Sequence, residues 1–248
     1  MNQLFPASLR IGCAGWSLPR ATWPDFPAEG SHLERYAQRF GAVEIDTSFY
    51  RPHRRETYER WAASTPAGFR FAVKLPQAIT HEQRLVDAMP AFDEFLSQVA
   101  GLGGKLGCLV VQLPPSLAFD ARVVRPFLAG VRRRHAGAVA LEPRHRSWFT
   151  PAAEVLLSHF EFGRVLADPV LFDAAGAPGG WPGLVYLRLH GSPRRYWSAY
   201  DEGLLRRLSQ RLLLACEDGT QGWCIFDNTA GGEAVGNAMT LVRLLHHR

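Results

Sequence analysis

A chain of 248 residues that is 47% apolar and 21% charged has the composition of one folded domain with a sizeable core, and nothing in it suits a disordered or fibrous class. Its four cysteines (Cys13, Cys108, Cys216, Cys224) form no C-x-x-C pair, which argues against a disulfide framework or a Cys-based zinc site. MNQLFPASLR lacks a signal-peptide core and nowhere do about 18 apolar residues run together, so a cytoplasmic protein with no membrane partner is expected. The net charge of +5 leans towards anionic partners, nucleic acid among them, although only Lys74 and Lys105 of the 28 basic residues are lysines, a bias better explained by coding composition than by phosphate contacts. Arg132, Arg133 and Arg134, the longest basic run, read as a solvated helix face.

Apolar runs of strand length alternate with amphipathic stretches of helix length. The first strand is predicted over 10–17, with a helix over 33–40. The second covers 42–50, with a helix over 56–64. The third covers 69–76, with a helix over 89–100. The fourth runs over 106–114, then a helix over 120–135. The fifth is 138–145, then a helix over 151–160 with Pro151 at its first position. The sixth is 163–169, and a Gly/Pro-rich loop over 174–183 replaces the helix that should follow. The seventh is 184–191 with a helix over 202–216, and the eighth is 222–228 with a closing helix over 233–247. Crossover-length connections imply a parallel sheet, and a count of eight implies a single (β/α)8 TIM-barrel domain spanning 1–248.

Alternation within strands sorts their faces. Val43 and Ile45 oppose Glu44 and Asp46; Val139 and Leu141 oppose Ala140, Glu142 and Arg144; Val185, Leu187 and Leu189 oppose Tyr186, Arg188 and His190. The apolar face must meet the helices, so the polar set points into the lumen near the strand C-termini. That set is Glu44, Asp46, Lys74, Gln112, Glu142, Arg144, Asp168, Arg188, His190 and Asp227 or Asn228. Drawn from seven strands, it has the pattern of a barrel active site, the bland alternative being a self-satisfied ring of ion pairs.

Lys74 offers a Schiff-base amine, an anion contact or, more simply, an ion pair with Glu44 or Glu142. The loops HGSPRRYWSAY (190–200) and DNTAGGEAVGNA (227–238) stand at the usual phosphate station of this fold, where Gly231 and Gly232 would present backbone N–H groups, and Tyr196, Trp197 and Tyr200 stacking surfaces. The fourth and seventh strands end on Gln112 and His190 rather than acids, against the commonest barrel glycosidase. Lys74, Arg144 and Arg188 oppose a cation, so no metal and no cofactor are expected.

The series GCAGWS, VEIDTSFYR, FAVKLPQAITH, KLGCLVVQLPP, EPRHRSWF, VYLRLHG and FDNTAGGEAVGNA resembles, in order from residue 10 to the end, the YecE-like family, domain of unknown function 72. The resemblance implies a TIM-barrel fold and no established activity. Its recurrent segments fall on Trp16, Glu44, Tyr50, Lys74, Thr80, His81, Gln112, Arg144, His145, Trp148, Arg188, His190, Gly191 and Asn228. Asp46 and Asp227 stand where the family pattern suggests Asn, and Pro143 where an aromatic is common; the two acids add negative charge at the mouth.

These readings converge on an enzyme acting on a small phosphorylated or otherwise anionic substrate, a nucleotide or nucleic-acid fragment included. Arg144, Arg188 and Lys74 would hold the anion with Gly231 and Gly232. His190 or His81 would be general acid/base, and Glu142 or Glu44 would orient them. The largest polar cleft is expected to be lined by Glu44, Lys74, Glu142, Arg144, Arg188 and His190, with Arg188 a ligand residue. The alternatives are a non-catalytic anion- or nucleic-acid-binding barrel, and a metal-dependent phosphodiesterase or isomerase resting on fold analogy alone.

Overall fold

In the computed structural model, which describes residues 6–246, the apolar runs become ten strands in two sheets. They are β1 (Leu9–Cys13), β2 (Ala42–Ile45), β3 (Arg70–Lys74), β4 (Leu106–Gln112), β5 (Ala138–Glu142), β6 (Phe162–Arg164), β7 (Leu166–Asp168), β8 (Gly179–Gly180), β9 (Leu184–Leu189) and β10 (Gln221–Phe226). One sheet has the order β1-β10-β9-β7 and the other β2-β3-β4-β5-β6-β8; every pairing is parallel except β6 with β8. The helices are α1 (His32–Ala37), α2 (Arg55–Ala63), α3 (Met89–Val99), α4 (Ala121–Arg134), α5 (Pro151–His159), α6 (Glu202–Ala215) and α7 (Ala234–His246). The predicted end of the last helix at His247 lies outside the described residues, as does the opening MNQLF.

The expected single closed sheet of eight strands is not what the pairing gives. The predicted sixth strand changes partners at Val165: β6 pairs with β5, while β7 pairs with β9. On the other side β1 and β2 meet through a lone bridge, Ala14 to Glu44, and a Gly15 N–H···O=C Glu44 bond of 2.9 Å. Close approach there requires Gly12, where a Cβ would sit 2.2 Å from the Ala42 carbonyl oxygen. Between β7 and β9 the chain makes only a short 3-10 turn (Asp173–Ala175) and β8, so the Gly/Pro-rich segment does replace a helix.

The strand alternation divides the interior. Val43, Ile45, Phe71, Val73, Leu109, Val111, Val139, Leu141, Leu187 and Leu189 pack against helix residues such as Leu33, Phe95, Leu128, Leu156 and Leu241. Ala42, Ala72, Val110, Ala140, Tyr186, Trp223 and Ile225 form a second cluster on the opposite strand face. Burial of each large apolar side chain contributes about 1.5–3 kcal/mol, so the larger cluster is the main source of stability. In α4, Val124, Phe127, Leu128 and Val131 recur at helical spacing to reach it, and Asp120 caps the helix by accepting from Arg122 N–H at 2.9 Å. Arg132 departs from the solvated-face expectation: its guanidinium donates to the carbonyls of Gly137 (2.7 Å), Phe160 (2.9 Å) and Glu161 (2.8 Å), tying the end of α4 to the turn before β6. Among the described residues no helix is long and apolar enough to cross a membrane.

Candidate functional site

Arg188 lies between Leu187 and Leu189, whose side chains belong to the helix-facing core, so β9 must send the guanidinium to the inner face. There it is 1% exposed and meets side chains from both sheets. Nε and Nη2 donate to Glu44 of β2 (Nη2 to Oε1 at 2.7 Å), Nη1 to Glu142 of β5 (2.8 Å) and Gln112 of β4 (3.3 Å), and Nη2 also to Asp227 just past β10 (3.0 Å). An arginine has five N–H donors in a fixed fork, and these partners engage all of them. Tyr186, one turn of the pleat earlier on β9 and stacked on Trp223, donates its hydroxyl to Glu44 Oε2 at 2.7 Å.

The layer continues outward. Arg144 Nη2 pairs with Glu142 and contacts His190 Nε2 at 3.2 Å, and His190 Nδ1 lies 2.9 Å from Asp227 Oδ2. Lys74 Nζ is 2.9 Å from Asp46 Oδ1 and 4.2 Å from the centre of the Phe49 ring. Burial disfavours ionisation of Glu142, but Arg188 and Arg144 outweigh it and hold that carboxyl well below its ordinary range. The same contest, with Arg188 and His190 prevailing, lowers Asp227. Glu44 goes the other way: burial pushes it up, and Arg188 does not cancel the effect. Burial likewise opposes the charge on Arg188, yet Glu44, Glu142 and Asp227 together raise its pKa.

The open space lies beside this layer rather than over all of it. A cleft of about 640 Å³ at the carboxyl ends of β1, β2 and β10 is lined by Trp16, Asp46, Arg51, His53, Trp61, Asp227 and Gly232 among others. Trp16 and Trp61 stack edge-on at 5.0 Å, His53 stands 5.1 Å from Trp61, and the His53 Nε2–Thr47 Oγ1 contact is 2.8 Å. Both bonds to Asp227 fall on Oδ2, and the residue lines the cleft. Asp46 follows β2 and precedes a 3-10 turn (Thr47–Phe49), which carries its side chain out of the strand and into the cleft wall. The cleft therefore has an acidic floor, an aromatic wall and a cationic rim at Arg51.

Several expectations change on this geometry. Glu44, Lys74, Glu142, Arg144, Arg188 and His190 do gather at one end of the strands, but none lines the cleft; they are buried beneath and beside it. Arg188 is not available to a ligand, because acids and Gln112 hold every donor. Gly231 and Gly232 do not present free amides: their N–H groups donate to Tyr196 O and Thr229 O, each at 3.1 Å. Gly231 is instead needed for packing, since a Cβ there would lie 2.3 Å from the Trp197 carbonyl oxygen.

Trp148 is core, fully buried against Phe119 with its indole N–H on Leu117 O. His145 caps a short 3-10 turn by accepting from Ser147 N–H. Asn228 ties Ser198 O to Asn237 Oδ1, Asp168 accepts from the Tyr200 hydroxyl at 2.7 Å, and Tyr50 is 70% exposed. His81, on a single π-helical turn (Ala78–Glu82) with its Nδ1 2.9 Å from Thr80 Oγ1, is outside the cleft; burial and then Lys74 lower its pKa. Tyr196 lies edge-on to His190 at 5.5 Å and roofs it. Sequence reasoning missed His53 and Trp61 because they lie on a loop and on α2, beyond the reach of strand alternation. Among the described residues no three His, Cys, Asp or Glu side chains converge as a metal-binding group.

Comparison with known proteins gives the same relatives at three levels. The family described as "Protein of unknown function DUF72" matches residues 10–248. UPF0759 protein YunF of Bacillus subtilis (strain 168) is 26% identical over 266 residues, covering 95% of this chain and 94% of that protein. UPF0759 protein YecE of Escherichia coli (strain K12) is 34% identical over 104 residues, 42% of this chain and 37% of that protein. Crystal structures of DUF72 family proteins from Enterococcus faecalis V583 and Thermotoga maritima MSB8 each superpose with a TM-score of 0.79 at 22% identity. They cover 97% and 96% of this chain and 96% and 99% of the respective structures.

Proposed function

Since the chain belongs to the DUF72 family, whose description carries no activity, we propose its function from the site alone: an enzyme that binds a small polar substrate in the cleft beside the ion layer and moves a proton with Asp46 or Asp227. The observation that carries this reading is the acidic floor. Two carboxylates face the space, each oriented by a buried cation (Lys74 for Asp46, Arg188 for Asp227), so they accept hydrogen bonds from substrate hydroxyl or ammonium groups without reorganisation. Trp16 and Trp61 give the substrate's apolar face a surface, as mostly apolar pockets with few placed polar groups do. His190 is a positioning residue that braces Asp227 from behind. The convergence of β2, β4, β5, β9 and β10 on one guanidinium supports the view that the two sheets act as one barrel, with this cleft at its C-terminal mouth.

An anionic substrate is the second reading. It is favoured by Arg51 at the cleft rim. The test is to incubate the wild type, Asp46→Asn and Asp227→Asn with a defined panel of neutral polyols, amino alcohols and sugar phosphates, following each by mass spectrometry. Conversion of a neutral or amine-bearing compound that both variants lose supports the first reading, and conversion of phosphorylated compounds only supports the second. Binding in the cleft without conversion of any compound would refute both in favour of a non-catalytic binding barrel.

A further inference from the structure

The opposite end of the strands carries a different charge pattern. A cavity of about 360 Å³ there includes Arg10, Arg39, Gly68 and His246 in its lining, with no acid among the described residues that line it. Arg10 shares its strand face with Ala14, and Arg70 shares its face with Ala72; both alanines contact the inner cluster, so the two arginines turn towards the same interior. Trp223 pairs with Arg10 in register, and a Cβ on Gly107 would touch both the Trp223 ring (2.7 Å) and Arg70 Cβ (3.1 Å), which brings all three side chains to one floor.

Among the described residues no carboxylate pairs with Arg10 or Arg70. Arg70 Nη1 donates to the carbonyls of Ala67 and Phe69, each at 2.9 Å, beside Gly68 of the cavity wall. Lys105 Nζ donates to Ala62 O (2.6 Å), Thr65 O (2.5 Å) and Thr65 Oγ1 (3.1 Å). Arg10 is partly buried, and among the described residues its guanidinium has neither a hydrogen-bond nor an ion-pair partner. Burial and then the like charge of Arg70 lower its pKa, and burial and then Arg70 do the same to Lys105. Elsewhere in this protein inward-facing arginines are matched by acids, as Arg188 and Arg144 are; here no counter-charge is found among the described residues.

We propose that this end of the fold is a second ligand site, in which a small phosphate-type oxyanion sits between the guanidinium groups of Arg10 and Arg70. A guanidinium presents paired N–H donors that match two oxygens of a tetrahedral anion, and partial burial strengthens the charge-assisted bonds. The anion replaces a repulsion with two attractions, so its binding stabilises the fold. The site is independent of the acid-floored cleft, which lies at the other end of the same strands.

The test uses inorganic phosphate, titrated at constant ionic strength by calorimetry and followed by thermal unfolding, in the wild type, Arg10→Gln, Arg70→Gln, Asp227→Asn and Arg125→Gln, the last a charge-loss control on the exposed side of α4. Phosphate is expected to stabilise the wild type, Asp227→Asn and Arg125→Gln alike, and to bind Arg10→Gln and Arg70→Gln at least about tenfold more weakly. Without phosphate, Arg10→Gln should melt no lower than the wild type, because its removal relieves repulsion. Phosphate affinity equal in Arg10→Gln and Arg125→Gln, or a wild-type effect no larger than that of sodium chloride, would overturn the proposal. So would loss of phosphate binding in Asp227→Asn, which would place the anion in the other cleft. Competition by a short single-stranded oligonucleotide stronger than phosphate itself would assign these arginines to a polyanion and overturn the small-anion claim.

Discussion

Replacing Arg188 by alanine probes the ion layer most sharply. The wild-type guanidinium, fully buried, compensates Glu44, Glu142 and Asp227 at 2.7, 2.8 and 3.0 Å. Without it Glu142 keeps Arg144 and Asp227 keeps His190, but Glu44, fully buried, keeps only the Tyr186 hydroxyl. Breaking a buried pair by deleting one partner costs about 3–5 kcal/mol, which for a chain of this size lowers the melting temperature by roughly 2–4 °C per kcal/mol. Arg188→Lys should recover little, since one ammonium has three donors on a point charge and cannot span carboxylates from three strands. The loss must shrink on acidification, because the stranded carboxyls take up protons more readily in the folded variant than when unfolded. Urea unfolding of both variants at pH 7.5 and pH 5 is the assay. A loss under about 1 kcal/mol at pH 7.5, or one that grows at pH 5, refutes the picture of a self-neutralised scaffold.

In the wild type, Glu142 and Asp227 have lowered folded-state values, so their contribution is present above the ordinary carboxylate range and disappears as pH falls through the folded values; Glu44, raised, acts in the opposite sense. Stability measured between pH 7 and pH 2 should therefore fall towards the acid end, and a flat profile would contradict the assignment. Tyr186→Phe removes the hydroxyl on Glu44 Oε2 and should cost about 1–3 kcal/mol in chemical unfolding. Gly231→Ala should cost a similar amount, about 1–3 kcal/mol, and displace the 191–200 loop, visible as altered Trp197 fluorescence, because its Cβ would strike the Trp197 carbonyl. Trp148→Ala should lose about 3–5 kcal/mol as a core truncation while Tyr50→Ala stays within about 0.5 kcal/mol, separating two positions that the family motifs treat alike.

Much of the fold was legible because parallel strands with a polar interior write their faces into the sequence. Val43, Ile45, Leu187 and Leu189 alternate with Glu44, Tyr186 and Arg188, and the structure puts the two sets on opposite strand faces. The change of partner at Val165 was not legible, since Gly163–Pro169 is one unbroken strand-like run and which neighbour each half pairs with depends on distant β5 and β9. The gathering of polar side chains at one strand end followed from the same alternation. Their roles did not, because alternation tells which way a side chain points and not what it meets. Counting would have helped: Glu44, Asp46, Glu142 and Asp227 match Lys74, Arg144 and Arg188 closely enough to neutralise one another. Arg51, His53 and Trp61 had no such pattern, the first two lying on a connection and Trp61 on α2, whose positions are set only when β2 and α2 pack.

Under the proposed function, ligands meet Asp46 and Asp227 in the cleft while the ion layer stays closed. The direct measurement is a crystal structure with a bound compound from the mass-spectrometric panel. It should show the compound's hydroxyl or ammonium groups within hydrogen-bond distance of Asp46 and Asp227, its apolar face against Trp16 or Trp61, and Arg188 still joined to Glu44, Glu142 and Asp227. A compound seated instead on Arg188 or Arg144, with those acids turned away, would contradict it.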